Sequence, residues 1–130
     1  MARTKRCDEN TRRGRLAKAV SFLDQAEIVL LIADDESAVT DAAVTLFVHA
    51  GIAAADVICC AHLAEHALGE SHSDAIALLR TVNVGAAKHL SVLLGLKTRA
   101  GYSAERTSPQ NVTRARRAAA HLVDAARQVG

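Results

Sequence analysis

The sequence predicts an all-α protein, an up-and-down bundle of four to five helices with a long central second helix. Three observations predict it. Half of the 130 residues are apolar and alanine, the best helix former, is abundant. The single proline, Pro109, leaves long segments uninterrupted. The stretch from Ser37 to Leu68 carries no Lys, Arg or Pro and is dense in small apolar residues. Aromatics are confined to Phe22, Phe47 and Tyr102, so the core must come from Ala, Val, Leu and Ile on closely packed helices. No segment of useful length alternates with the period of a strand.

A chain of this length forms one compact domain, burying roughly two-thirds of its extended surface. Residues 1–10 (MARTKRCDEN) are polar and basic and read as a disordered tail, leaving 11–130 for the bundle. The first helix runs from Thr11 to about Ala33. Leu16, Ala19, Val20, Leu23, Ala26, Leu30 and Ala33 form its apolar stripe. The acidic break Asp34-Asp35-Glu36-Ser37 supplies a cap for the second helix, with Asp35 or Ser37 in that role. That helix runs to Leu68 and stops at Gly69. Its Gly51, beside Ala50 and Ala53, permits close approach of a neighbour. A short third helix spans Ser73–Val82, capped by Ser71 or Ser73. The fourth spans Ala86–Leu96, with Lys97–Tyr102 as a helix end or turn. Ser108 caps the fifth, where Pro109 takes the first position and the helix runs to Gln128.

Cys7, Cys59 and Cys60 are odd in number and two are adjacent, which describes no disulfide framework and fits a reducing cytoplasm. The N-terminus has no apolar segment of the signal-peptide kind. The most apolar run, Ala42–Ala55, falls short of the roughly 20 residues that span a bilayer. Charge is segregated. Residues 1–20 carry net +5, residues 21–79 net −10 with no base at all, and residues 80–130 net +7. Either basic helices pair with acidic ones across the bundle, or the bases form a surface for nucleic acid, or opposed patches drive self-association.

Three stretches carry a resemblance. They are Gly14-Arg15-Leu16-Ala17-Lys18-Ala19 with the acidic Ala33–Glu36, the segment Phe47–Asp56, and Leu93–Tyr102. In the last, Lys97, Ala100 and Tyr102 match a basic-x-x-Ala-Asp-Tyr signature, with Gly101 in place of the Asp. Over residues 12–128 the chain resembles the HEPN family of small prokaryotic helical bundles. The resemblance implies a four- or five-helix bundle, often a homodimer. Many such proteins are RNases, frequently toxins paired with a nucleotidyltransferase-type partner, with an Arg-x4-6-His active motif. Others are RNA-binding or interaction modules. Arg116 with His121, or Arg114 with His121, match that motif here. On a continuous helix Arg116 and His121 lie about 140° apart, and Arg114 about 10 Å from His121.

Among other candidates, His62-Leu63-Ala64-Glu65-His66 has the H-x-x-E-H spacing of a zinc peptidase helix, with Cys59 one turn earlier. It lacks a third ligand from a second element and reads as the polar end of a helix, so no metal and no cofactor are expected. Cys59 and Cys60 read as small buried apolar residues, His49 as a hydrogen-bonded core or interface residue, and Tyr102 as a ring packed under the last loop. Arg12, Arg13, Arg15, Lys97, Arg99 and Arg117 are the candidate phosphate contacts, without the aromatics that a base-stacking platform needs. The reading is a cytoplasmic, non-catalytic binding or interaction module for RNA or a partner protein, probed by salt dependence. The alternatives are a metal-independent endoribonuclease using Arg114 or Arg116 with His121, and a structural dimer without a ligand.

Overall fold

The computed structural model describes residues 3–68 and 71–129. In chain order it holds β1 (Thr4–Arg6), α1 (Glu9–Ile32), a 3-10 turn (Glu36–Ala38), α2 (Thr40–Leu63), β2 (Glu65–Ala67), α3 (His72–Arg80), α4 (Val84–Tyr102) and α5 (Pro109–Val129). The expected all-α bundle is what forms, with α2 packed against every other helix.

The helices are set in an up-and-down order. Arg15 meets Asp56 and Phe22 meets His49, so α1 runs antiparallel to α2. Asp41 meets Thr107 at the start of α2 and α5, so α5 runs parallel to α2. The Thr107 amide and hydroxyl both donate to Asp41 Oδ1, at 2.9 and 2.6 Å. That satisfies a buried threonine and anchors the entry to α5.

Caps set most helix boundaries. Asp8 accepts from the Thr11 amide at 2.8 Å and starts α1 two residues earlier than the apolar stripe suggests. Asn83 accepts from Ala86 N, Ser71 from Asp74 N and Ser108 from Asn111 N, starting α4, α3 and α5. The acidic break caps only the 3-10 turn, through Asp35, so α2 begins at Thr40 instead of Ser37. Helix α4 continues to Tyr102, well past Leu96 and through Gly101, because Leu96 and Ala100 extend its buried stripe and no proline intervenes. Tyr102 consequently stands in solvent, 84% exposed, not under a loop.

The larger departures lie at the two ends of the Cys7–Cys60 link. The sequence predicts a disordered tail over 1–10 and a helix to Leu68. Instead Thr4–Arg6 pairs antiparallel with Glu65–Ala67, Thr4 opposite Ala67 and Arg6 opposite Glu65. Cys7 N donates to Ala64 O and Leu68 N to Arg3 O, lengthening the ladder. Ala64 takes a left-handed conformation, φ 55°, and turns the chain out of α2. Beyond it, the backbone finds in β1 the partners that further helix would have supplied. Cys7 and Cys60 form a disulfide, their Cα atoms 5.6 Å apart, so the expectation of three unpaired cysteines is corrected. Parity hid the bond because Cys59 is the buried free thiol left over. The predicted stop at Gly69, Glu70 in the following loop, and residues 1, 2 and 130 lie outside the described residues.

The core is alanine-rich, with Phe47, Ile58, Leu79, Leu90, Leu93 and Leu122 as its large fully buried side chains. Helix α2 is long and apolar enough to cross a membrane, and 72% of its most apolar window is buried inside the bundle. Its hydrophobicity faces other helices. Ile28, Leu31 and Ile32, at the end of α1, remain exposed.

Candidate functional site: a cavity lined by charges

Where α1, α2, α3 and α4 meet beside β2, they leave a cavity of about 250 Å³. Ile52, Ala55, Ala67, Ala75, Leu90 and Leu94 form its apolar lining, and Arg15, Asp56, Ser71, His72 and Lys97 its polar groups. Each comes from the pattern of its helix. Ile52, Ala55, Asp56 and Cys59 recur on one face of α2, and Leu90, Leu94 and Lys97 on one face of α4. Arg15 sits on the turn of α1 that antiparallel packing sets against Asp56.

Asp56 is the only Asp or Glu between Asp41 and Glu65, and α2 carries it into the bundle. Arg15 answers it from α1: Nε donates at 2.9 Å and Nη2 lies at 2.8 Å, both on Oδ2. The other oxygen, Oδ1, is 3.9 Å from His66 Nδ1. Nδ1 lies 2.9 Å from the Ala67 carbonyl, which only accepts, so that nitrogen carries the proton. Burial pushes the Asp56 carboxyl above its ordinary range, and Arg15 and then His66 pull it down without overcoming that. Lys97 makes no ion pair among the described residues. The lining thus holds two bases and one acid, a net single positive charge with His72 neutral.

Cys59 lines the same cavity as an unbonded thiol. Burial, and secondly the Asp56 carboxylate, push its pKa up to about 12. The thiolate is the nucleophile and the metal-binding form, so at neutral pH Cys59 is an inert apolar wall. The reading of H-x-x-E-H as the polar end of one helix is corrected. His62 is at the exposed end of α2, while Glu65 and His66 belong to β2, so the helical spacing that would align them is absent. No group of three or more His, Cys, Asp or Glu among the described residues can hold a metal ion.

The remaining sequence candidates are dispersed. Arg12 and Arg13 pair with Glu9 at 3.7 and 2.9 Å, across one turn of α1. Arg99 and Arg117 are exposed on α4 and α5. Arg114 donates to Asn111 at 3.2 Å, and Arg116 to Glu27 of α1 at 2.8 Å. That last pair fixes the antiparallel register of α1 and α5 and separates the two basic clusters. Arg12, Arg13 and Arg15 lie more than three turns from the Glu27–Arg116 contact. Of the six candidate phosphate contacts, Arg15 and Lys97 share a site, and that site is the cavity.

His121 packs against a residue the sequence reading passed over. Its ring stacks on His89 of α4, centroids 4.5 Å apart and planes within 5°. The pairing had no signal in the sequence, since α4 and α5 must be in register before positions 89 and 121 meet. Burial, and then His121, lower the His89 pKa. His49 packs its ring on Phe22 and is likewise lowered, by burial first, then Lys97 and Arg15. A histidine whose folded pKa is depressed contributes stability that is present above its unfolded value and lost as pH falls through the folded one. The unfolding free energy should therefore drop as pH falls below about 6.5, before carboxylates begin to protonate. Urea titrations at stepwise pH check this, and His89→Gln should flatten the slope in that window.

The chain matches no protein-family model and no curated protein sequence.

Proposed function

We propose that this chain is a non-catalytic binding module and that the cavity between α1, α2, α3 and α4 is its ligand site. One observation carries the reading: a half-buried Arg15–Asp56 pair and Lys97, from three helices, converge on a single apolar-lined space. An apolar cavity with a few convergent polar groups is the usual form of a small-molecule site. At about 250 Å³ it suits a compact ligand. Cys59, the cavity's thiol, is held protonated by burial and is not an activated nucleophile, which supports binding over turnover. The Cys7–Cys60 bond supports an oxidising setting in place of the cytoplasm that the cysteine count suggests.

Methyl NMR with a library of small fragments tests the site. Binders should shift the Ile52, Leu90 and Leu94 methyls together. Ala75→Leu, which fills the cavity from α3, should abolish those shifts in a folded protein. Shifts scattered over the surface and indifferent to Ala75→Leu would sink the reading.

A second reading, the endoribonuclease implied by the HEPN resemblance, is favoured by the His89–His121 stack. Two imidazoles side by side are suited to general acid and base roles. Arg116 is paired with Glu27 and Arg114 hydrogen-bonds Asn111 on the exposed face of α5, so Arg114 is the motif arginine more readily freed to hold a phosphate, while Arg117 lies outside the Arg-x4-6-His spacing. RNA cleavage by the wild type that His121→Ala removes would establish this reading, and no cleavage would end it.

A further inference from the structure

We infer that the cavity selects an amphipathic monoanion, a compact apolar body ending in one carboxylate or comparable anionic head. The inference rests on the cavity being a ligand site and adds what that site chooses.

Charge sets the preference. Arg15 is already engaged by Asp56, so its charge is largely compensated where the two meet. Lys97 is the uncompensated group, an exposed side chain at the cavity wall without an ion pair among the described residues. A cationic ligand would face Lys97 and Arg15 together, and its only counter-charge would be an Asp56 carboxylate whose Oδ2 Arg15 holds twice. A neutral ligand would gain nothing from Lys97, whose exposed ammonium keeps its water. An anion gains a charge-assisted hydrogen bond from Lys97 and meets the outer field of Arg15.

Shape and polarity set the rest. Beyond the charges, the lining is Ile52, Ala55, Ala67, Ala75, Leu90 and Leu94 with the neutral Cys59 thiol, and Ser71 and His72 stand at the head of α3. The apolar side chains that would meet the ligand's body cannot satisfy a second charged group. A charge or a row of hydroxyls placed among them would be buried against methyls at a cost of a few kcal/mol each. A short acyl chain or a small aryl group covers the same surface favourably. Lys97 sits three residues after Leu94 on α4, so head and body are addressed by one helix face in sequence.

The test compares three ligands of equal length on the intact disulfide-bonded chain: octanoate, octanol and octylammonium, followed by the Ile52, Leu90 and Leu94 methyl shifts. Octanoate should bind about tenfold more tightly than octanol, the scale of one charge-assisted contact. Octylammonium should be weakest. Lys97→Met should remove the advantage of octanoate over octanol, both measured on that variant, and Lys97→Arg should restore it. Because Lys97 is exposed on α4, these replacements leave the core intact. Octanol binding as tightly as octanoate, or an octanoate advantage that survives Lys97→Met, would overturn the anion preference while the cavity stands. If none of the three ligands moves those methyls, the preference and the cavity reading fall together.

Discussion

Cys7→Ser is expected to lower the unfolding free energy by about 2–5 kcal/mol, the range for loss of a native disulfide in a small domain. The bond joins residues 53 apart in sequence. On chain-entropy grounds a loop of that size is worth roughly 4 kcal/mol through the unfolded state. Local structure adds to the loss. A two-stranded sheet of three residues per strand does not hold together unaided, and β1 touches the bundle chiefly through β2 and the bond itself. Without Cys7 the ladder from Arg3 to Cys7 should open, and α1 should lose its tether to the end of α2. Urea unfolding of the wild type with and without a phosphine reductant measures this directly. The reductant should shift the wild type to the midpoint of Cys7→Ser and leave the variant unmoved. Thiol counting in denaturant should find one free thiol in the unreduced chain, Cys59, and three after reduction. Equal midpoints under both conditions would show that the bond contributes nothing to stability.

The second large effect lies where α2, α4 and α5 touch. Gly51 is fully packed, and a Cβ placed on it would overlap Leu93 Cδ1 and press on Leu122 Cδ1, 3.2 Å away. Both leucines are completely buried, so any shift of Leu93 Cδ1 must be accommodated inside the core. Gly51→Ala therefore sets two effects against each other. Helix propensity favours alanine by about 1 kcal/mol. Overpacking a closed core costs about 1–3 kcal/mol. The overlap falls on the end of a leucine side chain inside a closed core, so overpacking outweighs propensity and the expected net change is destabilising. Leu93→Ala alone removes the obstructing side chain and costs about 2–5 kcal/mol as a cavity. The double variant Gly51→Ala/Leu93→Ala should lose less than the sum of the singles, because the new methyl enters the space the leucine leaves. A double-mutant cycle reads this as a coupling on the order of 1 kcal/mol. Strict additivity would show that Leu93 repacks freely and that Gly51 is not there for close approach.

Much of the bundle was legible because helix formation is local. The stripes of α1 and α5, the Ser71 and Ser108 caps and Pro109 at the head of α5 are decided within a few residues of each other. Helix boundaries went astray where a non-local partner competed. The chain after Leu63 has no proline or glycine until Gly69, and only the strand at residues 4–6 explains why it leaves the helix. Cysteine parity failed for the same reason: it counts thiols and is blind to which two meet. In the cavity, Asp56 gave a signal, a single acid in a long apolar segment that must find a buried partner. The sequence did not single it out, and assigned Arg15 and Lys97 to a nucleic-acid face.

By itself the sequence determined that this protein is an all-α bundle organised around its second helix, because the spacing of apolar residues at helical period leaves no other way to bury them. Only the tertiary structure decided which charges meet. Arg15 with Asp56, Arg116 with Glu27, His89 with His121 and Cys7 with Cys60 join residues 41, 89, 32 and 53 positions apart. Such encounters depend on helix order and register, which are set by how small residues such as Gly51 let α2 seat against its neighbours. The site is a property of that packing.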